Sequence, residues 1–393
     1  MVAPPLFNRM NYVRIVRGLF SHPLGLFLAL SGYVGWRLLS AMSLGPFWTT
    51  AGIAVLLAFC LLIPFSMRAR GMLDRKLADR ISWIGLTAMG FFSSLFVLTL
   101  LRDLVLLGAR PFIGSERAWI TPSAQATLLL TGFITVAGLI IARRRPAIVK
   151  VDIPVVGLPR ALHGFSIAQI SDVHVGPTIK RGFVESIVRR VNELKADMVA
   201  VTGDLVDGSV QQLSTHTAPL AALVARHGAY FVTGNHEYYS GEEAWTEEIR
   251  RLGLHVLKNE HVVLKHDGAS LVLAGVTDYS AHHFDHAQRS DPAAALHGAP
   301  ANAGARILLA HQPSSAAAAA QAGFDVQISG HTHGGQFWPW NLFVRFFQPF
   351  TGGLHKLKNL CVYVSRGTGY WGPPNRFGVP SEITHIRLVP ATS

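Results

Sequence analysis

The sequence predicts an N-terminal region of four membrane-spanning helices followed by an α/β domain built from layered sheets and helices. Four apolar runs lie in the first 150 residues, and each is about as long as the ~20-residue helix that crosses a bilayer. Charged residues make up only 15% of the chain, against about 25% in soluble domains. After these runs, short β-branched segments alternate with helix-like segments. We expect a membrane domain over 1–145 and a second domain over 146–393.

The membrane prediction depends on the composition of the four apolar runs. They cover roughly 23–42, 46–66, 81–101 and 125–142. A buried helix of a soluble bundle has a polar face at 3.6-residue spacing, whereas the second and fourth runs are apolar all round. A soluble four-helix bundle is therefore disfavoured. Arg37 interrupts the first run near its end, where its side chain can extend toward the membrane surface.

The net charge of +12 lies entirely in the apolar part of the chain. Residues 1–150 carry 16 Lys/Arg and 4 Asp/Glu, whereas residues 151–393 carry 19 of each. A basic groove for nucleic acid would place the excess in the folded domain, so no nucleic-acid partner is expected. Twelve Lys/Arg flank the runs on one side of the membrane, and three flank them on the other. The twelve include Arg9, Arg14 and Arg17 of the N-terminal tail. The positive-inside rule then predicts cytoplasmic termini and a cytoplasmic second domain.

Polar side chains cluster where the predicted strands of the second domain end. The segments "SDVHVG", "TGDLVDG", "TGNHEY", "AHQP" and "GHTHGG" each follow a β-branched run. They supply Asp172, His174, Asp204, Asp207, Asn235, His236, Glu237, His311, His331 and His333. Loops beyond the carboxyl ends of strands are where α/β folds hold their functional residues. Burying such a set without cations to pair it would be costly, so the set predicts a metal centre.

The ligand types indicate the kind of metal and its number. Carboxylates and imidazoles together suit divalent manganese, iron or zinc. Six or seven ligands exceed the needs of one ion, so we expect two ions that share a bridging carboxylate. Two ions about 3.5–4 Å apart can clamp a phosphoryl group and activate a water. Asp207 and Glu237 are interpreted as residues that orient loops or ligands, not as direct ligands.

The order D-x-H, G-D-x-x-D, G-N-H-E, H, G-H-x-H, over about residues 160–340, resembles the calcineurin-like metallophosphoesterase superfamily. The "GHTHGGQ" form and the tail "SRGTGYWGPPNRFGVPSEITHIRL" are similar to its bacterial membrane-associated branch, the YkuE/YaeI-like phosphoesterases. The resemblance implies a layered sandwich of two sheets flanked by helices. It also implies a multi-pass protein of the bacterial inner (cell) membrane.

The resemblance further implies a role for each motif residue. The implied ligands are Asp172, His174 and His333 for one ion, Asn235, His311 and His331 for the other, and Asp204 as the bridge. His236 would contact a phosphoryl oxygen or the leaving group, as an electrostatic stabiliser or general acid. The nucleophile would be a metal-bridging hydroxide, with no covalent intermediate on the enzyme.

Two further sets of residues are candidates for contact with substrate. Arg376 in "PPNRFGVP" is predicted to bind substrate phosphate, and the alternative is an arginine that braces its loop. His282, His283 and His286 in "SAHHFDHAQR" are interpreted either as lining the substrate path or as part of a solvated loop.

The aromatic run "FWPWNLFVRFFQPF", residues 337–350, follows the last predicted ligand closely. Together with Arg345 it suits the surface of a bilayer, and packing inside the domain is the alternative.

The favoured function is hydrolysis of a phosphodiester or pyrophosphate bond in a lipid-linked or amphiphilic substrate at the cytoplasmic membrane face. Some members of the resembled family act on UDP-2,3-diacylglucosamine. The alternatives are a phosphatase for phosphoproteins or soluble nucleotides and a metal-binding membrane sensor or scaffold. Metal identity and oligomeric state stay open.

Overall fold

The computed structural model describes residues 23–112 and 117–391. The chain forms two compact units, one ending at Val136 and the other beginning at Ala137. This division falls inside a helix, and the domain boundary after residue 145 stays a prediction of the sequence. Arg9, Arg14 and Arg17, which contribute to the predicted topology, lie outside the described residues.

The first unit is helical. Its helices, the last of which continues into the second unit, are α1 (Pro23–Leu39), α2 (Pro46–Arg68), α3 (Arg75–Ala109) and α4 (Arg117–Arg143). Within the described ranges, three helices, α2 to α4, are long and apolar enough to cross a membrane. The described part of α1, from Pro23 onward, has 17 residues and is a shorter apolar helix. The four predicted runs therefore correspond to three helices of membrane-spanning length and one apolar helix whose described part is shorter.

Arg37, the charge that interrupts the first apolar run, is paired inside the helical unit. Its Nε and Nη2 donate to the two carboxylate oxygens of Asp103 at 2.6 and 2.9 Å. The hydroxyl of Tyr33 donates to the same carboxylate at 2.7 Å. An unpaired charge among apolar helices is costly, so this bidentate pair explains how the sequence tolerates an arginine here.

The second unit contains two six-stranded sheets within the described residues. The first sheet consists of β1 (Ala147–Val155), β2 (Ser166–Ile170), β3 (Met198–Val201), β4 (Ala229–Phe231), β5 (His255–Val256) and β12 (Glu382–Pro390). The second consists of β6 (Glu260–His266), β7 (Ala269–Gly275), β8 (Ala305–Leu309), β9 (Val326–Ser329), β10 (Gly353–Leu357) and β11 (Leu360–Val364). Their orders are β1-β12-β2-β3-β4-β5 and β10-β11-β9-β8-β7-β6.

The two sheets pack face to face and carry helices on their outer faces. One apolar cluster joins strands of both sheets, for example Ile167 of β2 with Ile307 of β8. The helices of this unit are α5 (Arg181–Glu193), α6 (Val210–Thr217), α7 (Asn235–Ser240), α8 (Glu242–Arg251), α9 (Pro292–Leu296) and α10 (Ala316–Ala322). A second cluster holds α5, α6 and α8 against the first sheet, and a third holds α9 and α10 against the second. The predicted two-sheet sandwich flanked by helices is confirmed.

Strand direction brings the functional loops together. β2, β3 and β4 run parallel in the first sheet, and β7, β8 and β9 run parallel in the second. Such central strands are covered on both faces, which explains continuous apolar segments such as "MVAV" in β3. The carboxyl ends of parallel strands lie at one edge of a sheet, so the loops that follow them are neighbours.

Candidate metal centre

The predicted ligands lie just after β2, β3, β4, β8 and β9, most of them in loops and Asn235 at the first position of α7. Several of these residues have left-handed backbone angles that non-glycine residues rarely adopt. The residues and their φ values are Asp172 (54°), His174 (53°), Asp204 (51°), His331 (72°) and His333 (51°). Strained backbone of this kind concentrates at functional sites, where the surrounding structure holds it in place.

The first group of side chains brings together Asp172, His174 and His333, whose candidate ligand atoms lie within 4.8 Å of one another. Nε2 of His174 lies 3.1 Å from Nε2 of His333, and Nε2 of His333 lies 3.4 Å from Oδ1 of Asp172. All three residues are buried. Buried nitrogen and oxygen donors that converge in this way fit a divalent cation, which would pair their lone pairs.

The second group consists of Asp204, His311 and His331. Nε2 of His311 lies 3.1 Å from Oδ2 of Asp204 and 3.2 Å from Nδ1 of His331. Nδ1 of His311 faces the carbonyl oxygen of Thr202 at 2.8 Å and can donate its proton there. That bond leaves Nε2 of His311 as the basic nitrogen, which is the arrangement that a metal-binding histidine requires.

Two further observations support a fit to divalent ions. The main-chain N–H of His331 donates to the carboxylate of Asp172 at 2.9 Å. This hydrogen bond links the second ligand group to the first. Oδ1 of Asn235 is buried and has no hydrogen-bond partner. An unpaired buried amide oxygen costs about 1–3 kcal/mol, and a cation at the centre would satisfy it.

His236 is held at the edge of the centre by Asp207. Nδ1 of His236 donates to Oδ1 of Asp207 at 2.7 Å, and Nδ1 of His174 lies 3.0 Å from the same oxygen. Nε2 of His236 lies 3.9 Å from Oδ2 of Asp204 and thus faces the centre. Burial disfavours the charged ring, but the hydrogen bond to Asp207 and the charge of Asp204 outweigh it and raise the pKa of His236 to about 9.

Glu237 fixes the main chain of two ligand loops. Its carboxylate is buried and accepts from the N–H groups of Gly234 at 2.7 Å, Asp204 at 3.0 Å and Leu205 at 2.8 Å. The loops approach so closely that a Cβ on Gly234 would lie 2.2 Å from Oδ1 of Asp204. The contacts of Glu237 are those of a residue that orients loops, as the sequence analysis interprets it.

Arg376 lies behind the first group of ligands. It has no exposed surface, and its Nη2 lies 3.0 Å from Nδ1 of His333. Its Nη1 donates to the carbonyl oxygens of His333 at 3.1 Å and Arg366 at 2.7 Å. These contacts correspond to the loop-bracing alternative of the sequence analysis.

Asp278 is a buried acid near the centre that lies outside the set of ligands predicted from the sequence. Asp278 follows β7. Nε2 of Gln312, the residue after His311, donates to its two carboxylate oxygens at 3.0 and 3.1 Å. The strand end "LVLAGVTD" has the same form as the other ligand segments, which is the signal that could have found it. No histidine or second acid accompanies Asp278, so the motif pattern alone does not mark it as a ligand.

Exposed aromatic side chains surround His236. The ring centroids of Trp371 and Tyr239 lie 5.6 and 5.3 Å from that of His236, and Phe284 lies 5.5 Å from Tyr239. Phe284 belongs to the loop of His282, His283 and His286, so this loop contacts the aromatic ring system beside the centre. Tyr239, Phe284 and Trp371 form what we call the aromatic rim.

Comparison with known proteins gives three informative relatives and one family. The family described as Calcineurin-like phosphoesterase matches residues 165–335. A transmembrane protein with metallophosphoesterase domain from Danio rerio is 39% identical over 269 residues, covering 66% of this chain and 61% of the relative. A metallophosphoesterase of Campylobacter jejuni is 31% identical, covering 66% and 68%. YkuE of Bacillus subtilis is 27% identical, covering 59% and 81%. The chain thus spans about three fifths of the length of the Danio rerio protein.

Proposed function

Because this chain belongs to the calcineurin-like phosphoesterase family, we propose that it hydrolyses a phosphodiester or pyrophosphate bond with two divalent metal ions. The observation that carries the proposal is the pair of converging ligand groups with His236 at their edge. When bound, ions at this centre would polarise the phosphoryl oxygens and activate a water for attack. Asp172, His174 and His333 would hold one ion, and Asn235, His311 and His331 the other, with Asp204 between them. Manganese, iron and zinc all suit these ligands.

The protein side chains supply positioning and a proton. His236 donates its Nδ1–H to Asp207, and because its pKa is raised to about 9 the ring also carries a proton on Nε2, which faces the centre. From there His236 donates a proton to the leaving oxygen or stabilises charge on the phosphoryl group. Glu237 holds the segments of Asp204 and Asn235 together by accepting three main-chain hydrogen bonds. One of these bonds goes to the N–H of Asp204 itself, whose backbone is left-handed, so Glu237 helps to hold that conformation.

The substrate we propose is lipid-linked or amphiphilic. The chain has membrane-length apolar helices, and it exposes a cluster of large apolar side chains soon after His333. We call this cluster the apolar surface; its members are Trp340, Leu342, Phe343, Phe346 and Phe347. Phe346 and Phe347 are 71% and 80% exposed, whereas Phe337 at the start of the run is buried. Burial of such side chains in the headgroup region would remove them from water, which supports docking on a lipid surface.

The proposed location is the cytoplasmic face of a bacterial inner membrane. The distribution of Lys/Arg around the apolar runs supports this orientation. Arg345 lies beside Phe346, with its guanidinium 5.4 Å from the ring centroid, and would face anionic headgroups. A nucleotide-linked diacyl sugar such as UDP-2,3-diacylglucosamine combines a pyrophosphate for the metal centre with acyl chains for the apolar surface.

The test is hydrolysis by the purified full-length protein in detergent. We expect Mn²⁺ to support cleavage of bis-p-nitrophenyl phosphate and of a lipid-linked pyrophosphate, and excess chelator to abolish both activities. Mass spectrometry of the products, over a panel of UDP-diacylglucosamine, phospholipids, nucleotides and phosphopeptides, identifies the bond that is broken. Equal rates on lipid and soluble substrates with the same leaving group would favour a soluble substrate. Metal binding without hydrolysis of any compound would favour a sensor.

The apolar surface gives a separate prediction about substrate presentation. The double variant Phe346→Ser/Phe347→Ser is expected to lower kcat/KM on a micellar lipid substrate by about tenfold or more, since each phenylalanine would forfeit roughly 1.5–3 kcal/mol of burial. The rate on soluble bis-p-nitrophenyl phosphate should stay unchanged. Val224→Ser is the matched control, because Val224 is also an exposed apolar residue, 68% exposed, outside this surface. An equal loss on both substrates would contradict a docking role.

A further inference from the structure

The segment between β11 and β12 lies against the first ligand group and is tied to it through the main chain. We call residues 365–377 the covering loop. The N–H of Thr368 donates to the carbonyl oxygen of Ser171 at 2.7 Å, and the N–H of Gly369 to that of Asp172 at 3.0 Å. The hydroxyl of Thr368 accepts from the N–H of Ser171 at 3.2 Å. The position of the covering loop and that of Asp172 are therefore linked.

Arg376 joins the covering loop to His333. Its Nε donates to the carbonyl oxygen of Gly369 at 2.9 Å, and its Nη1 to that of Arg366 at 2.7 Å and of His333 at 3.1 Å. The bond from Nη1 fixes the main chain of His333, whose ring nitrogen Nε2 faces the first ligand group. A buried guanidinium must have its N–H donors paired, and because the group is planar and rigid these donors point in fixed directions. A shift of Arg376 would therefore shift a predicted metal ligand.

Gly138 sets the position of Arg376 from the other side. Gly138 lies in the part of α4 that belongs to the same compact unit, which begins at Ala137. Its carbonyl oxygen accepts from the N–H of Arg376 at 3.1 Å. A Cβ on Gly138 would lie only 1.7 Å from Oδ1 of Asn375, which itself accepts from the N–H of Phe377 at 3.0 Å. Asn375 is buried, so it has little room to move away.

We propose that the close packing of Gly138 against Asn375 and Arg376 positions His333 for metal binding. Gly138 and Arg376 are then positioning residues, and the end of α4 becomes part of the support of the metal centre. The inference rests on the proposed function, since it assumes that His333 is a ligand. It predicts that a single methyl group on α4 changes the affinity of one ion and leaves the other site intact.

The test compares two alanine substitutions in the same helix. Gly138→Ala introduces the clash with Asn375, whereas Gly132→Ala is the matched control, because a Cβ at Gly132 meets nothing within 4 Å. Both positions are helical, so alanine is intrinsically favoured at both. Full-length protein is stripped of metal and titrated with Mn²⁺ by calorimetry, and the bound metal is counted by mass spectrometry.

We expect the wild type and Gly132→Ala to bind two Mn²⁺ per chain. In Gly138→Ala one of the two sites should weaken by about 10–100-fold, the usual effect of disturbing the support of a metal ligand. Raising the Mn²⁺ concentration should restore hydrolysis by Gly138→Ala. Adding Asn375→Ala to Gly138→Ala removes the clashing side chain and should recover most of the lost affinity.

The outcomes separate the inference from the proposed function. If the wild type binds none of Mn²⁺, Fe²⁺ and Zn²⁺, the proposed function fails. If it binds two ions and Gly138→Ala matches Gly132→Ala, only the inference fails. Should Gly138→Ala not fold, Arg376→Lys keeps the charge without the fork and should weaken one site by about tenfold. Unchanged binding by a folded Arg376→Lys overturns the inference.

Discussion

Replacing His236 by alanine is expected to lower kcat by about 10²–10⁴-fold, the range contributed by a positioned general acid. The loss should be greater on a diester with an alkoxide leaving group than on bis-p-nitrophenyl phosphate, because p-nitrophenolate leaves without protonation. The measurement is kcat on both substrates at saturating Mn²⁺. The melting temperature should change little, since the ring lies at the edge of the centre and its main partner, Asp207, keeps its contact with His174.

Two companion variants make the His236 result interpretable. Asp204→Ala removes the carboxylate shared by the two proposed sites and should nearly abolish hydrolysis together with metal binding. His297→Ala, at an exposed histidine beyond α9, should leave kcat unchanged. Retained activity in both His236→Ala and Asp204→Ala would contradict the proposed site. An equal loss on both leaving groups would instead point to electrostatic stabilisation by His236.

Replacing Glu237 by alanine is expected to have the largest effect on stability. Three main-chain N–H groups, those of Gly234, Asp204 and Leu205, would lose a buried acceptor. Each unsatisfied donor costs about 1–3 kcal/mol, so the free energy of unfolding should fall by at least about 3 kcal/mol. That corresponds to a melting temperature lower by about 10 °C for a domain of this size. Metal binding should weaken as well, because the loops of Asp204 and Asn235 lose their common support.

The control for Glu237→Ala is Glu247→Ala, at an exposed glutamate of α8. A surface substitution of this kind changes stability by less than about 0.5 kcal/mol. Thermal unfolding of the full-length chain in detergent, followed with and without Mn²⁺, measures both variants. A Glu237→Ala protein as stable as Glu247→Ala would show that the three hydrogen bonds do not hold the loops.

The sequence predicted the family and the strand-end position of the ligands because both depend on local pattern. Asp172, Asn235 and His331 each follow an apolar strand, and parallel strands bring such ends together. The calcineurin-like family, predicted from five motifs, is confirmed. The length of the first helix was harder to predict, because apolar composition continues past Leu39, where the helix ends.

Contacts between distant segments could not be predicted from pattern. Arg376 lies 43 positions from His333 in sequence, and only the folded covering loop brings the two together. The role of Gly138 could not be predicted, because a glycine in an apolar helix can occur for many reasons. Only its proximity to Asn375 in the structure explains why this position requires glycine. The position of Asp278 near the centre could not be predicted for a different reason. A single acid after a strand forms no motif, and its contact with Gln312 exists only in the folded chain.

The strand order of the first sheet has a consequence for how the protein is made. β12, the last described strand to leave the ribosome, lies between β1 and β2, parallel to one and antiparallel to the other. Until it emerges, β1 lacks its only strand neighbour in that sheet among the described residues. The helices of the first unit are synthesised long before that moment. We therefore expect the helices of the first unit to form first, and the first sheet to be completed only after β12 has emerged.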